Sequence, residues 1–211
     1  MEKKLKKIMF NDKYCLTQAV LEGWKMQTRR IINGIPTNMV GMEIINIIKS
    51  HREYDEQYKV LACHTTDHLG KTINIPYQVG EEVAVAQSYE SIANEGGNIL
   101  ADMLQDETTF KKEYCGACWT NKMFVKANLM PHRIKMTNLN IERLQDISEE
   151  DCLKEGIKRK NNRYLVENQK GVCFYTNDAR LAFRFLIDKI CGKGTWEKNP
   201  YVYAYDFELI K

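Results

Sequence analysis

An amine, a hydroxyl and two guanidiniums fall within six consecutive residues, Lys25 to Arg30, of the stretch Glu22-Gly23-Trp24-Lys25-Met26-Gln27-Thr28-Arg29-Arg30. Packing such groups against an apolar core is costly unless something polar or anionic binds there. A hydroxyl beside an amine is the pairing that nucleophilic catalysis uses. Clustered cations are equally what phosphate binding uses. Both chemistries are open to these residues.

The flanking elements hold the cluster. Tyr14 to Leu21 reads as a helix, with Leu16, Ala19 and Val20 on one face. Gly23 sits where a helix C-terminal glycine belongs. Thr28 to Ile32 reads as a strand entered from that turn, so Lys25 lies on a tight connection. Ahead of the helix, Ile8 to Phe10 reads as a strand and Asp12 as the helix cap.

The rest of the chain alternates strands and helices. Val40 to Ser50 is expected to be a helix with Met42, Ile45 and Ile48 inward, residues 51–60 a solvated connection, and Val60 to Cys63 a weak strand. Glu82 to Gln87 alternates like a half-buried strand. Asn98 to Asp106 is expected to be a short helix, and Lys122 to Ala127 and Ile134 to Leu144 strands. Ser148-Glu149-Glu150-Asp151 is a capping box whose helix ends at Gly156, with Glu155 in the last turn. Asn177 is expected to cap a helix whose stripe is Ala179, Ala182, Phe183, Leu186, Ile187 and Ile190, ending at Gly192. Lys193 to Trp196 turns into a last strand, Tyr201 to Leu209. Hairpin-like neighbours with mixed helices predict an α+β fold around a small, mostly antiparallel β-barrel with flanking helices.

Composition narrows the class. The chain of 211 residues is 44% apolar, enough for one domain with a real core. Its net charge of +3, from 31 basic and 28 acidic residues, is too small to argue for nucleic acid by itself. No apolar run approaches the ~20 residues that span a bilayer. The charged start, Met1 to Lys7, has no apolar run behind it and is not a secretory signal. Seven scattered cysteines, an odd number, fit reduced thiols in a cytoplasmic protein. No feature calls for a cofactor or a membrane partner.

Gly23-x-Lys25-x-x-Thr28-x-Arg30 resembles the G-x-K-x-x-T-x-R signature of the ASCH family, small β-barrel domains related to the PUA-like RNA-binding fold. Three further stretches agree: Tyr77 to Glu81, Glu142 to Ile157, and Gly192 to Trp196 with Asn199-Pro200. Together they are similar to the longer ASCH proteins typical of phages and prophages. The resemblance implies one domain over residues 1–211, with insertions at 35–75, 90–125 and 158–175. It also implies a nucleoside, nucleotide or RNA partner. Some small ASCH proteins hydrolyse the acetyl amide of N(4)-acetylcytidine with a lysine, a threonine and a glutamate. By motif position these correspond to Lys25, Thr28 and Glu155.

On that assignment Thr28 Oγ attacks the acyl carbonyl, and Lys25 acts as base once burial beside Arg29 or Arg30 lowers its pKa. Glu155, facing helix C-terminal carbonyls, exchanges a proton with the leaving amine or a water. Arg29 and Arg30 would hold substrate, and Trp24 would stack on a base. The alternatives are a non-catalytic RNA- or nucleotide-binding module, with Glu155 the salt-bridge partner of Lys25, or a ribonuclease using the same cluster. Cys115-Gly116-Ala117-Cys118 has half of a zinc-knuckle spacing but lacks a second pair, so it is either a partial metal site completed by histidine or two reduced thiols. Lys154, Lys158, Arg159, Lys160 and Arg163 form a basic run that is either a solvated loop or a phosphate track. Trp119 and Trp196 are either base-stacking or packing residues.

Overall fold

A computed structural model describes residues 5–50, 55–68, 70–96 and 117–210. The core is a five-stranded sheet of β1 (Lys6–Ile8), β2 (Gln27–Ile31), β6 (Glu82–Val85), β7 (Arg133–Arg143) and β11 (Tyr201–Ile210). Their spatial order is β1-β6-β7-β11-β2, antiparallel throughout except for β1 with β6. β11 lies inside the sheet, between β7 and β2, and is buried on both faces: Val202 and Ala204 on one, Tyr203 and Tyr205 on the other. Two three-stranded antiparallel sheets accompany it. One is β3 (Met39–Ser50), β4 (Asp55–Thr65) and β5 (Lys71–Asn74); the other is β8 (Lys158–Lys160), β9 (Arg163–Asn168) and β10 (Gly171–Thr176). The first falls within the expected insertion 35–75, and the second spans the expected insertion 158–175 and one residue beyond it.

The helices are short: α1 (Leu16–Leu21), α2 (Tyr89–Gly96), α3 (Ala117–Thr120), α4 (Glu149–Lys154), α5 (Ala179–Cys191) and α6 (Thr195–Lys198). α5 buries Ala179, Ala182, Phe183, Leu186 and Ile187, five of the six residues of the expected stripe, with Ile190 half-buried. Its cap is Asp178, not Asn177: Asp178 accepts from the Arg180 and Leu181 amides. No described helix is long and apolar enough to cross a membrane.

The chain is therefore α+β and mostly antiparallel. Among the described residues the central sheet does not close into a barrel, because β1 and β2 remain its edges. A side chain ties those edges instead: Arg30 Nη2 on β2 donates to the Met9 carbonyl, just past β1, at 2.6 Å.

Several local expectations are corrected. Residues 40–50 are a strand, not a helix, and pair with β4, which replaces the expected solvated connection over 55–60. Ile44, Ile45, Ile47 and Ile48 are β-branched and suit a pleated sheet better than a helix. Lys122 to Ala127 is not a strand, because the Lys7 ammonium collects the carbonyls of Lys122, Met123 and Val125. Residues 195–198 form helix α6 before the last strand. The first strand ends at Ile8 rather than starting there. Asn11, not Asp12, caps a 3₁₀ turn over Asp12–Tyr14, while Asp12 accepts from Thr17. Only half of the expected capping box forms: Ser148 accepts from the Asp151 amide at 3.0 Å, while the Asp151 carboxylate turns to Arg29, Gln27 and Lys154. The expected helix over 98–106 lies outside the described residues.

Candidate active site

Two helix ends build the site. α1 ends with Gly23 at φ +80, its amide bonded to the Val20 carbonyl and the Trp24 amide to that of Ala19. α4 ends with Gly156 at φ +109, bonded to Leu153, with Ile157 bonded to Cys152. These are paired C-terminal back-bonds of the Schellman type, and they require a glycine because an L side chain is strained at positive φ. A Cβ added at Gly156 would meet Leu16 Cδ2 at 2.9 Å and Lys25 Cδ at 3.6 Å, so the two turns pack directly together. The Met26 amide donates to the Lys154 carbonyl at 3.0 Å, which locks them.

β2 then runs along the edge of the sheet. Phe207 donates to the Met26 carbonyl and Ile32 to that of Tyr201, so even-numbered residues of β2 exchange bonds with β11. The backbone groups of Gln27, Arg29 and Ile31 point outward. Lys25 uses one of them.

Lys25 is 2% exposed and Glu155 5%. Lys25 Nζ donates to Glu155 Oε2 at 2.7 Å, to the Glu155 carbonyl at 2.6 Å and to the Gln27 carbonyl at 2.7 Å. Arg29 Nη1 donates to the other Glu155 oxygen at 3.2 Å. Arg29 Nε donates to Glu142 at 2.8 Å, and Arg29 Nη2 reaches Asp151 at 3.4 Å. Gln27 joins the network, accepting from Arg29 and donating to Asp206 at 2.8 Å. Desolvation lowers the Lys25 pKa from its ordinary value, and Arg30 and Arg29 add to that, while Glu155 opposes it. Desolvation also works against the charge of Arg29, but Glu155, Glu142 and Asp151 outweigh it and raise its pKa. The result is a fixed guanidinium beside an amine whose proton is easier to move.

A cleft of about 310 Å³ opens at this edge. Its polar wall is Lys25, Thr28, Arg29, Arg30 and Glu155; its apolar wall includes Phe10, Phe183, Leu186 and Ile190. The structure thus brings Lys25, Thr28 and Glu155 to one cleft, although Glu155 lies 130 positions from Lys25. Arg30 joins them with its Nε buried and, among the described residues, without a hydrogen-bond partner. Trp24 does not line this cleft. It lines a separate depression with Lys158 and Leu165, its indole Nε1 bonded to Glu22 at 2.8 Å.

The sequence reading missed Gln27, Asp206, Glu142 and Asp151 as a supporting network. Asp206 was readable as a carboxylate following Val202 and Ala204 on one face of β11, with Glu208 beyond it, and it sits directly opposite Gln27. Trp196 packs edge-on against Phe183, as a packing residue does. Among the described residues no group of three or more His, Cys, Asp or Glu is placed to hold a metal ion. Cys115 lies outside the described residues, and so does the side chain of Cys118 in α3. A scan against protein-family models, a search of curated proteins and a search of solved structures each return no match.

Proposed function

We propose that this cleft binds a pyrimidine nucleoside or nucleotide and hydrolyses the amide of an N(4)-acylated cytidine, as in the ASCH domains that the sequence resembles. On this reading the central sheet is an open form of that family's small barrel, with Arg30 tying its edges. The observation that carries the reading is the buried Lys25–Glu155 contact at 2.7 Å in the same cleft as Thr28. In a water-poor site both charges of the pair are costly to keep desolvated, which favours moving the proton within it. A proton passed from Lys25 to Glu155 leaves an amine able to accept the Thr28 proton. Thr28 Oγ then attacks the acyl carbon, and the C–N4 bond breaks as Glu155 returns its proton to the leaving N4. Water, deprotonated at the same couple, cleaves the threonyl ester and releases the carboxylic acid. The Arg30 Nε is a free donor for the pyrimidine carbonyl.

The test is release of cytidine and acetate from N(4)-acetylcytidine. Thr28→Ala should abolish turnover in a folded protein, and Glu155→Gln should slow it roughly 10²-fold or more, the range of general acid–base catalysis. Absence of turnover with any N(4)-acylated cytidine at high enzyme concentration rejects the catalytic reading.

One observation favours a second reading, binding without catalysis. All three donors of the Lys25 ammonium are used, by Gln27 and by two oxygens of Glu155. On this reading the pair only shapes the cleft, and nucleotide binding persists in Thr28→Ala without any turnover in the wild type.

A further inference from the structure

The β8–β9–β10 sheet carries the charge of this protein. Residues 158–175 contain five basic residues and one acidic, a net charge of +4. The whole chain has +3, so everything outside this segment sums to −1. A localised positive field of this kind marks a surface for a polyanion, where a uniformly mixed surface does not.

The sheet also sorts its residues by face. Tyr164 and Val166 point inward and are buried, and Phe174 stacks on Phe185 of α5 at 4.4 Å. That fixes what points outward. Lys158, Leu165 and Tyr175 lie directly opposite one another across the three strands, and Lys160 lies opposite Arg163. Side chains directly opposite share a face. The outer face therefore carries three cations, Leu165, one carboxylate (Glu167) and an exposed aromatic ring, Tyr175 being 62% exposed. Arg163 lies over the Tyr175 ring at 5.2 Å, and Lys158 over the Trp24 ring at 4.8 Å. Among the described residues neither Lys160 nor Arg163 has an acidic partner; Lys158 has Glu167 at 2.7 Å. Trp24 extends the face, because Lys158 and Leu165 line a depression of about 540 Å³ with it.

Cations interleaved with exposed aromatic rings are the surface that binds a single-stranded polynucleotide: the cations track phosphates and the rings take bases. A protein partner would not require rings lying under the cations. The chain links the linings of the depression and the cleft: Trp24 and Lys25 are successive residues, one lining each, and Ile157 and Lys158 follow Glu155 after Gly156. We infer that the outer face of β8–β9–β10, with Trp24 at its end, is a path for single-stranded RNA or DNA that leads to the Lys25–Glu155 cleft. The strand-binding claim stands without the catalytic reading. Only the statement that the target base lies within a strand rests on it.

The experiment is fluorescence anisotropy of a labelled single-stranded 12-mer, as RNA and as DNA, with a duplex of the same sequence as comparison. Single strands should bind more tightly than the duplex, with affinity falling as salt rises. Lys160→Glu/Arg163→Glu should weaken binding at least tenfold and flatten the salt dependence. Lys193→Glu/Lys198→Glu, the same charge change on exposed residues elsewhere, should not. Tyr175→Ala and Trp24→Ala should each weaken binding about 5-fold or more, within the range of one lost base stack. RNA above DNA assigns recognition to the ribose hydroxyl; equal affinity assigns it to phosphates and bases alone. Equal losses from the two charge-reversal pairs, or no binding of either single strand at low salt, overturn the proposal. Turnover of the free nucleoside, measured on the same wild-type preparation, separates failure of this inference from failure of the catalytic reading.

Discussion

Two turns in this protein share one pattern and reach opposite ends. Glu22-Gly23-Trp24-Lys25 closes α1, and Glu155-Gly156-Ile157-Lys158 closes α4. Each is glutamate, glycine, an apolar residue and lysine, with the same pair of back-bonds and a positive-φ glycine. In the first turn the lysine is buried and the glutamate exposed; in the second the glutamate is buried and the lysine side chain is 41% exposed. The buried members meet as Lys25–Glu155. The exposed members act on each other only through space: Lys158 lies over Trp24 and helps to lower the Glu22 pKa behind the Gln18 and Trp24 hydrogen bonds. Local sequence dictates the turn, and the packing of one turn on the other decides which charge loses water. The buried pair is a product of that crossing, not of either motif.

The strongest way to break the comparison is to remove one buried member. Lys25→Met leaves Glu155 with only Arg29 and should cost about 3–5 kcal/mol, the range for breaking a buried pair. Urea denaturation measures it. Replacing both, as Lys25→Met/Glu155→Leu, should recover at least ~1 kcal/mol, because no uncompensated charge remains. A cost for Lys25→Met below ~1 kcal/mol would mean that the pair is not desolvated. The pH dependence carries the same information. The Lys25 pKa is lowered in the native state from 10.5, so between the native value and 10.5 the unfolded chain holds more protons. Its contribution to stability is therefore fully present above 10.5 and is lost as pH falls toward the native value. The wild type should gain stability relative to Lys25→Met as pH rises through that window.

The glycines sharpen the contrast. Gly23→Ala places a methyl in open space and should cost about 1–2 kcal/mol, the penalty of left-handed backbone. Gly156→Ala meets Leu16 Cδ2 at 2.9 Å as well, and overpacking should add about 1–3 kcal/mol. Thermal or urea denaturation of the two variants should rank them in that order. Equal costs would show that the two turns do not press on each other.

What could be read from sequence follows the same division. The helix end at Gly23, the β2 strand, the α5 stripe and the Ser148 cap are local patterns, and each formed close to where the sequence placed it. The spacing of Lys25, Thr28 and Glu155 came from a resemblance, and the cleft that joins them came from packing. The β3–β4 hairpin is hard to read because Met42, Ile45 and Ile48 also fit a helical period. Choosing the strand needs a partner, and the first half of that partner, residues 55–60, reads as solvated connection. Asp151 was readable as a helix-cap residue, yet its carboxylate serves Arg29 from another element. No window of sequence contains that contact.

Asp151 supplies a smaller test at acid pH. Desolvation opposes its ionisation, but the Ser148 bond, Arg29 and Lys154 prevail and lower its pKa below 3.8. Its contribution is present above 3.8 and disappears as pH falls through the native value. Asp151→Asn should therefore flatten the acid limb of the stability curve, and an unchanged limb would remove Asp151 from the network that holds Arg29.

The smallest effect belongs to the exposed half of the crossing. Lys158→Ala removes a cation from the Trp24 face and an ion pair with Glu167, both in contact with water. Such contacts are worth about 1 kcal/mol or less, and salt screens them. The variant should denature within ~1 kcal/mol of wild type, and the gap should narrow in high salt. Its Trp24 fluorescence should nevertheless change, since the ammonium no longer sits over the ring. A loss as large as that of Lys25→Met would mean that the two halves are equally buried, and the asymmetry that buries one lysine and leaves the other at the surface would disappear.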